Sequence, residues 1–335
     1  MRFGVELPTC TAGMAYPVPF ASIDDVVRIA LEAEQLGYHE VAGNDHLSTM
    51  DHVRRAWPEP PDYFEPLLVL AHVAARTSAV RLMTGILMLP LREPVLLAKQ
   101  ITTLDHLSGG RFTLGVAVGG YREEYAAVFP DRGAVPRGDL AHEQLEALQT
   151  LLGDRRATYR GAHVHFEDVE LYPKPLQRPL PIWSGGNSEG AIRRAGELAQ
   201  GWLPAHIGPD TVRAGRERLE GYARAAGRDP AAITTAVQLN VCLGRTAAEA
   251  HERFCRSQFP RWHASLRGTM QKDVDLDAYE ALNLVGTPDD VCKRIAAFED
   301  AGVEALSATM FVGDTVGEML EQIRTFARTV MPAFA

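Results

Sequence analysis

Apolar positions along this chain follow two spacings in turn. Short continuous apolar runs alternate with stretches where apolar residues recur every three or four positions. The first spacing predicts buried strands and the second amphipathic helices. Arg2 to Leu7 reads as a strand ending at Pro8. Ser22 and Asp25 form a capping box. Ile23, Val26, Val27, Ala30 and Leu31 carry that helix on to Gly37, a left-handed stop. Further strands are predicted over 39–43, 80–89, 111–118, 180–184, 202–203, 234–243 and 303–312. Helices are predicted over 67–76, 94–107, 122–129, 140–152, 211–226 and 316–330, with another between Ser188 and Gly201. Thr246 with Glu249, and Thr287 with Asp290, form two more capping boxes, and Pro288 takes the favoured first position of the second helix.

Strands alternating with helices imply a parallel sheet. Eight strands fit an α/β fold, a single (β/α)8 TIM barrel spanning 1–335. A doubly wound sheet would more often show fewer strands and an early glycine fingerprint. The first strand-to-helix loop, Pro8 to Ala21, has no GxGxxG. A barrel needs about 250 residues, and the chain has 335. The surplus is expected in insertions at about 131–179 and 255–285.

Composition then removes whole classes of function. With 46% hydrophobic and 23% charged residues the chain is globular. Its 43 acidic and 34 basic residues leave a net charge of −9, which argues against a nucleic-acid partner. Cys10, Cys242, Cys255 and Cys292 show neither a disulfide framework nor zinc-site spacing, so buried, reduced thiols in a cytoplasmic protein are expected. The N-terminus enters a strand with no signal-peptide core. The longest apolar stretch, Gly85 to Leu91, is too short to cross a membrane.

In a barrel, chemistry gathers at the C-terminal ends of the strands. Asn44-Asp45-His46 comes after the second strand and Thr84-Gly85-Ile86 after the third. Gly119-Gly120-Tyr121-Arg122-Glu123-Glu124 comes after the fourth, and Gly185-Gly186-Asn187-Ser188 after the fifth. A histidine such as His46 at a strand end suits proton transfer or a hydrogen bond to a polar ring. Gly185 to Ser188 opens a helix, which fits either an anion site on the helix dipole or a tight turn with Ser188 as N-cap. His163, His165 and Glu167 alternate at strand spacing but fall in the first insertion, so no metal site is expected. Asp51-His52 and Asp105-His106 read as helix-surface pairs. Trp57, Pro58, Pro60, Pro61 and Tyr63 suggest a stiff aromatic loop over the site.

These segments, with Pro90-Leu91-Arg92-Glu93-Pro94, Leu97-Ala98-Lys99-Gln100 and Asp105 to Gly120, resemble in order and spacing the luciferase-like monooxygenase superfamily. That family comprises flavin- and deazaflavin-dependent TIM barrels. The resemblance implies that Gly185, Gly186, Asn187 and Ser188 hold a cofactor phosphate, with His46 near the reactive ring. It implies a non-prolyl cis peptide at Gly85–Ile86 behind the ring, and a close approach of Gly119 and Gly120. Asn44, Asp45, Thr84 and Tyr121 complete the expected cofactor residues, and a homodimer is implied. Some members use reduced FMN to activate oxygen, and others exchange hydride through the deazaflavin coenzyme F-420. The Asp45-His46 pair, Pro90 to Pro94 and Gly110 to Gly119 look most like the F-420 members. An oxidoreductase acting on a small organic substrate with F-420 is therefore expected. An FMN-dependent monooxygenase and a non-catalytic flavin-binding barrel are the alternatives. The sugar-phosphate dehydrogenase branch has a proton-donating Glu where this chain has Gly120, and a Trp where it has Met50. Glu6, Glu123 and Tyr121 are candidate donors instead.

Overall fold

A computed structural model describes residues 1–265 and 275–334. Eight parallel strands form a closed barrel: β1 Arg2–Leu7, β2 Glu40–Gly43, β3 Arg81–Thr84, β4 Phe112–Ala117, β5 Ile182–Gly185, β6 Gly201–Leu203, β7 Thr234–Val237 and β8 Ala305–Phe311. They pair in chain order, and β8 closes on β1. The outer ring is α1 Ile23–Gln35, α2 Pro66–Ala74, α3 Pro94–Leu107, α4 Arg137–Gly153, α5 Glu189–Leu198, α6 Pro209–Ala225, α7 Pro288–Asp300 and α8 Val316–Thr329.

Alternation along each strand separates two apolar layers. Phe3, Val5, Leu7, Val41, Leu82 and Leu114 face the helices. Ala42, Met83, Trp183, Leu203, Ala236 and Ala305 form a separate cluster that fills the barrel. Local signals fix the helix starts: of the three expected capping boxes, Ser22 with Asp25 and Thr287 with Asp290 are made in full, whereas Thr246 accepts Glu249 N but the Glu249 carboxylate turns to Arg245.

The structure corrects several expectations. The run 80–89 is not one strand. The chain leaves β3 at Thr84, the Gly85–Ile86 peptide is cis, and Leu87–Met88 rejoins β4, the strand β3 also pairs with, as a separate short segment. The run 234–243 is likewise broken. Gln238 keeps only a parallel bridge to Ala205, beyond β6, and Asn240–Leu243 pairs with β8 and with Leu284–Gly286. Within 131–179, α4 is a ring helix packed between α3 and α5, so the surplus there is the antiparallel hairpin of Ala157–Arg160 and His165–Val169. The second insertion begins within the helix Ala247–Arg256 and carries the helices Phe259–Ser265 and Leu276–Ala281 and the strand Leu284–Gly286; its residues 266–274 lie outside the described residues. Asp105 is buried rather than on the helix surface. Its carboxylate accepts from Leu176 N, Gln177 N and Gln177 Nε2, which pins that loop to α3. Among the described residues no helix is long and apolar enough to cross a membrane.

Candidate active site

The C-terminal ends of the strands enclose a cavity of about 830 Å³, counted with its opening to solvent. Asn44, Asp45, His46, Gly85, Ile86, Gly119, Gly120, Tyr121 and Asn187 line it, so most of the expected site residues meet in one place. Met88, Ala205, His206, Gln238, Trp262 and Met310 complete the wall. The surface is largely apolar with polar groups at its edges, as small-molecule sites usually are.

Each group after β2 is held from behind. Asn44 accepts Thr9 Oγ1 (2.7 Å) and Cys10 N (3.0 Å) at its Oδ1. Asp45 is buried and accepts Met88 N (2.9 Å) and Arg92 Nη2 (2.6 Å). Desolvation dominates its titration and pushes its pKa up to about 6, although Arg92 and the Met88 amide pull the other way. Asp45 therefore ties the chain after the cis peptide to the end of β2. His46 Nδ1 lies 2.9 Å from Glu124 Oε2. The other oxygen of Glu124 accepts Leu47 N (2.7 Å) and Ser48 N (3.2 Å). This buried carboxylate sets the imidazole plane and occupies one ring nitrogen. Nε2 is left as the nitrogen that can act on a bound molecule.

The acid at this histidine is the buried Glu124, whereas Glu123, expected as a candidate donor, is exposed and does not line the cavity. The short helix Arg122–Val128 turns Glu124 and Tyr125 inward. Tyr121, Glu124, Tyr125 and Val128 stand at i, i+3, i+4 and i+7. That helical spacing is in the sequence and distinguishes the two glutamates. Glu6 is fully buried but does not line the cavity. One of its oxygens accepts Thr11 Oγ1, and burial holds its pKa well above the usual carboxylate range. Thr84 is also behind the wall, where its hydroxyl clips β3 to β4 through Gly115 O (2.7 Å) and Gly115 N (2.9 Å). Tyr121 does line the cavity, and burial first raises its phenol pKa to about 12.

The opposite wall was not expected. His206 lies just beyond β6 with a positive φ of 51° and is buried. Its Nδ1 lies 3.0 Å from Asn283 Oδ1, and the same oxygen accepts Asn240 N (2.9 Å). Asn283 Nδ2 donates to Tyr279 O (2.7 Å), so the orientation of this amide is fixed. An oxygen can only accept, so His206 Nδ1 carries the proton and Nε2 presents a lone pair. Burial pushes the His206 pKa down to about 4, which keeps the ring neutral. Gln238 lies beside it and donates to Ala308 O (3.1 Å). Both residues stand just past the ends of β6 and β7, the same positional signal that marks the groups after the second to fifth strands. Trp262 comes from the second insertion and donates from Nε1 to Tyr121 OH (3.3 Å), forming an aromatic rim.

The glycine loop after β5 is split between structure and anion binding. Gly186 N donates to Leu203 O (3.0 Å), and Gly186 O accepts Trp202 Nε1 (3.0 Å), so the Gly186 amide is not a phosphate donor. Asn187 pairs with Ala205 through both ends of its amide, at 2.8 and 2.9 Å. Ser188 is the exposed N-cap of α5 and accepts Ala191 N (3.3 Å). Ser188 thus starts α5 one residue beyond Asn187, which lines the cavity, and of the first-turn amides Ala191 N is already taken by the cap. The residues of the hairpin motif do not converge: His165 pairs with Glu167 at 3.2 Å on an exposed strand, while His163 sits in the turn. All four cysteines are free, but only Cys10 and Cys242 are buried.

A luciferase-like monooxygenase family profile matches residues 1–305. The chain belongs to the luciferase-like monooxygenase family. Its relatives divide between two cofactors. It is 26% identical over 341 residues to the oxygenase component of a flavin-dependent trigonelline monooxygenase from Acinetobacter baylyi, covering 93% of this chain and 90% of that protein. It is 29% identical over 232 residues to an F420-dependent glucose-6-phosphate dehydrogenase from Kineococcus radiotolerans, covering 67% of this chain and 65% of that one. An uncharacterised protein of Mycobacterium tuberculosis is 34% identical over 170 residues, which span 49% of this chain and 58% of its relative. The fold superposes along its whole length on the monooxygenase RslO1 from Streptomyces bottropensis, with a TM-score of 0.81 at 24% identity. Members are flavin- or F420-dependent oxidoreductases and monooxygenases, and this chain carries that family's fold.

Proposed function

We propose that this protein is an oxidoreductase that binds coenzyme F-420 in the cavity and exchanges hydride with a small organic substrate. The observation that carries this reading is His46, locked by buried Glu124 and facing a cavity backed by the Gly85–Ile86 turn. The donor set suits such a cofactor. Ile86, Met88 and Met310 offer apolar walls to a flat ring, and Asn187, Gln238, His46 and His206 offer polar atoms at its edges. The α5 N-terminus, ten residues long and capped by Ser188, suits a phosphate.

When bound, the deazaflavin supplies hydride chemistry. The chain supplies position and protons. His46 Nε2 holds or accepts the proton that moves to or from the substrate heteroatom. Glu124 keeps the imidazole plane fixed and balances its charge when both nitrogens are protonated. His206 Nε2 accepts a hydrogen bond from a hydroxyl or N–H of the substrate. Trp262 and Tyr121 close the rim against water. Asp45 acts only through the backbone it holds.

A reduced-FMN monooxygenase is the second reading, favoured by the nearly full-length likeness to the Acinetobacter oxygenase component. Anaerobic incubation of reduced F-420 with a panel of carbonyl compounds separates the two. Cofactor oxidation without oxygen supports hydride transfer. Product formation only with reduced FMN and oxygen overturns it.

A further inference from the structure

Where the second insertion begins and ends, three side chains of different ligand types come together, none of them lining the cavity. His251 and Cys255 stand at i and i+4 on the helix Ala247–Arg256, so they share one face. Glu280 reaches them from the helix Leu276–Ala281. His251 Nδ1 lies 2.8 Å from Glu280 Oε2, and Cys255 Sγ lies 3.7 Å from His251 Nε2 and 3.9 Å from Nδ1. One ligand atom from each residue lies within 4.8 Å of the other two. All three are reachable from solvent, and the adjoining hollow is also lined by Asp277.

We propose that His251, Cys255 and Glu280 form a zinc site that clamps these two helices together. The distances fit. With His251 Nδ1 as the nitrogen ligand, tetrahedral zinc with Zn–S near 2.3 Å and Zn–N near 2.0–2.1 Å needs sulfur and nitrogen about 3.6 Å apart, so the 3.9 Å between Cys255 Sγ and Nδ1 closes by about 0.3 Å. The His–Glu pair opens by about half an ångström to admit the ion. A thiolate, an imidazole and a carboxylate favour zinc over magnesium or calcium. Asp277 or a water takes the fourth position. Binding displaces the Cys255 thiol proton to solvent. Glu280 and Asp277, which line the same hollow, attract a cation. Arg294 also lines the hollow; its guanidinium donates to Asn283 O, and its charge competes with a cation for Glu280.

The clamp joins the two sides of the insertion that carries Trp262 and Tyr279, so zinc would brace the wall of the cavity without entering it. Cysteine spacing conceals the site because only one ligand is a cysteine and the third lies 25 residues beyond it in the chain.

Calorimetric titration of the chelator-treated full chain with Zn²⁺ tests the proposal. One saturable zinc per chain is expected. Cys255→Ser and Glu280→Gln should each weaken it at least about tenfold, while Cys292→Ser leaves it unchanged. With Co²⁺, a sulfur-to-cobalt charge-transfer band should appear and be lost in Cys255→Ser. The metal-free variants are checked against the wild-type urea midpoint, and Glu280→Gln alone decides the matter if Cys255→Ser is unfolded. Lack of one-to-one uptake, or uptake that neither substitution weakens, overturns the site.

Discussion

At the residue scale, His46 depends on the carboxylate behind it. His46→Ala should lower kcat about a hundredfold or more if Nε2 moves the proton. Glu124→Gln should lower kcat more than it alters KM, because it disturbs the ring orientation without removing the ring. Glu123→Gln should leave both within about twofold in steady-state assays, since that side chain is exposed. His46 is legible from its strand end alone. The choice between the two glutamates is legible too, but only through helical periodicity. What no pattern shows is that Asn283, far along the chain, fixes the His206 tautomer. That ring also predicts a pH effect. Its pKa is pushed down to about 4 in the folded chain, against 6.5 ordinarily. Between those values the unfolded chain binds a proton that the folded chain refuses. Stability is therefore lost as pH falls from about 6.5 towards 4, by at most about 3 kcal/mol. His206→Asn keeps an N–H towards Asn283 and lacks the titration. Urea unfolding should show wild type losing ground to this variant only below about pH 6.5. A pH-independent difference would contradict the assignment.

At the element scale, sequence patterns place the helices well because their caps are local. The helix expected over 94–107 has those same ends, Pro94 and Leu107, in the structure. Two strands are shorter than their apolar runs suggest, because a continuous run does not show where a ladder breaks. The breaks come from tertiary contacts. Gly85 passes between β2 and β8 so closely that a Cβ there would lie 2.7 Å from Ala308 Cβ and 2.8 Å from Ala42 Cβ. Both neighbours sit on barrel backbone and cannot swing aside. Gly85→Ala should cost about 1–3 kcal/mol in urea unfolding through overpacking. An unchanged midpoint would show that the turn is free to move. At the other break, the Gln238 backbone stays bridged to Ala205 while its side chain bonds to Ala308 O near the bulge of β8.

At the scale of the whole molecule, the barrel is generic and the additions are particular. The hairpin 157–169 packs outside the ring, whereas the second insertion supplies Trp262 to the cavity. Of the two stretches of surplus chain, the later one therefore bears on what the cavity admits. The outer surface also carries a signal. Leu68 on α2 and Leu96 on α3 are 70% and 57% exposed on neighbouring helices. Exposed leucines on adjacent elements suit a contact between chains, and we propose that a second copy covers them. Sedimentation should give a dimer, and joint Leu68→Glu and Leu96→Glu substitution a folded monomer. A wild-type monomer would contradict this. The central claim, that the cavity holds a deazaflavin with its phosphate on α5, is tested most directly by titrating F-420 and FMN side by side into wild type and Ser188→Asp. F-420 should bind more tightly than FMN, and the variant should bind it more weakly through charge repulsion at the helix start. Tighter binding of FMN, or an affinity untouched by Ser188→Asp, would contradict it.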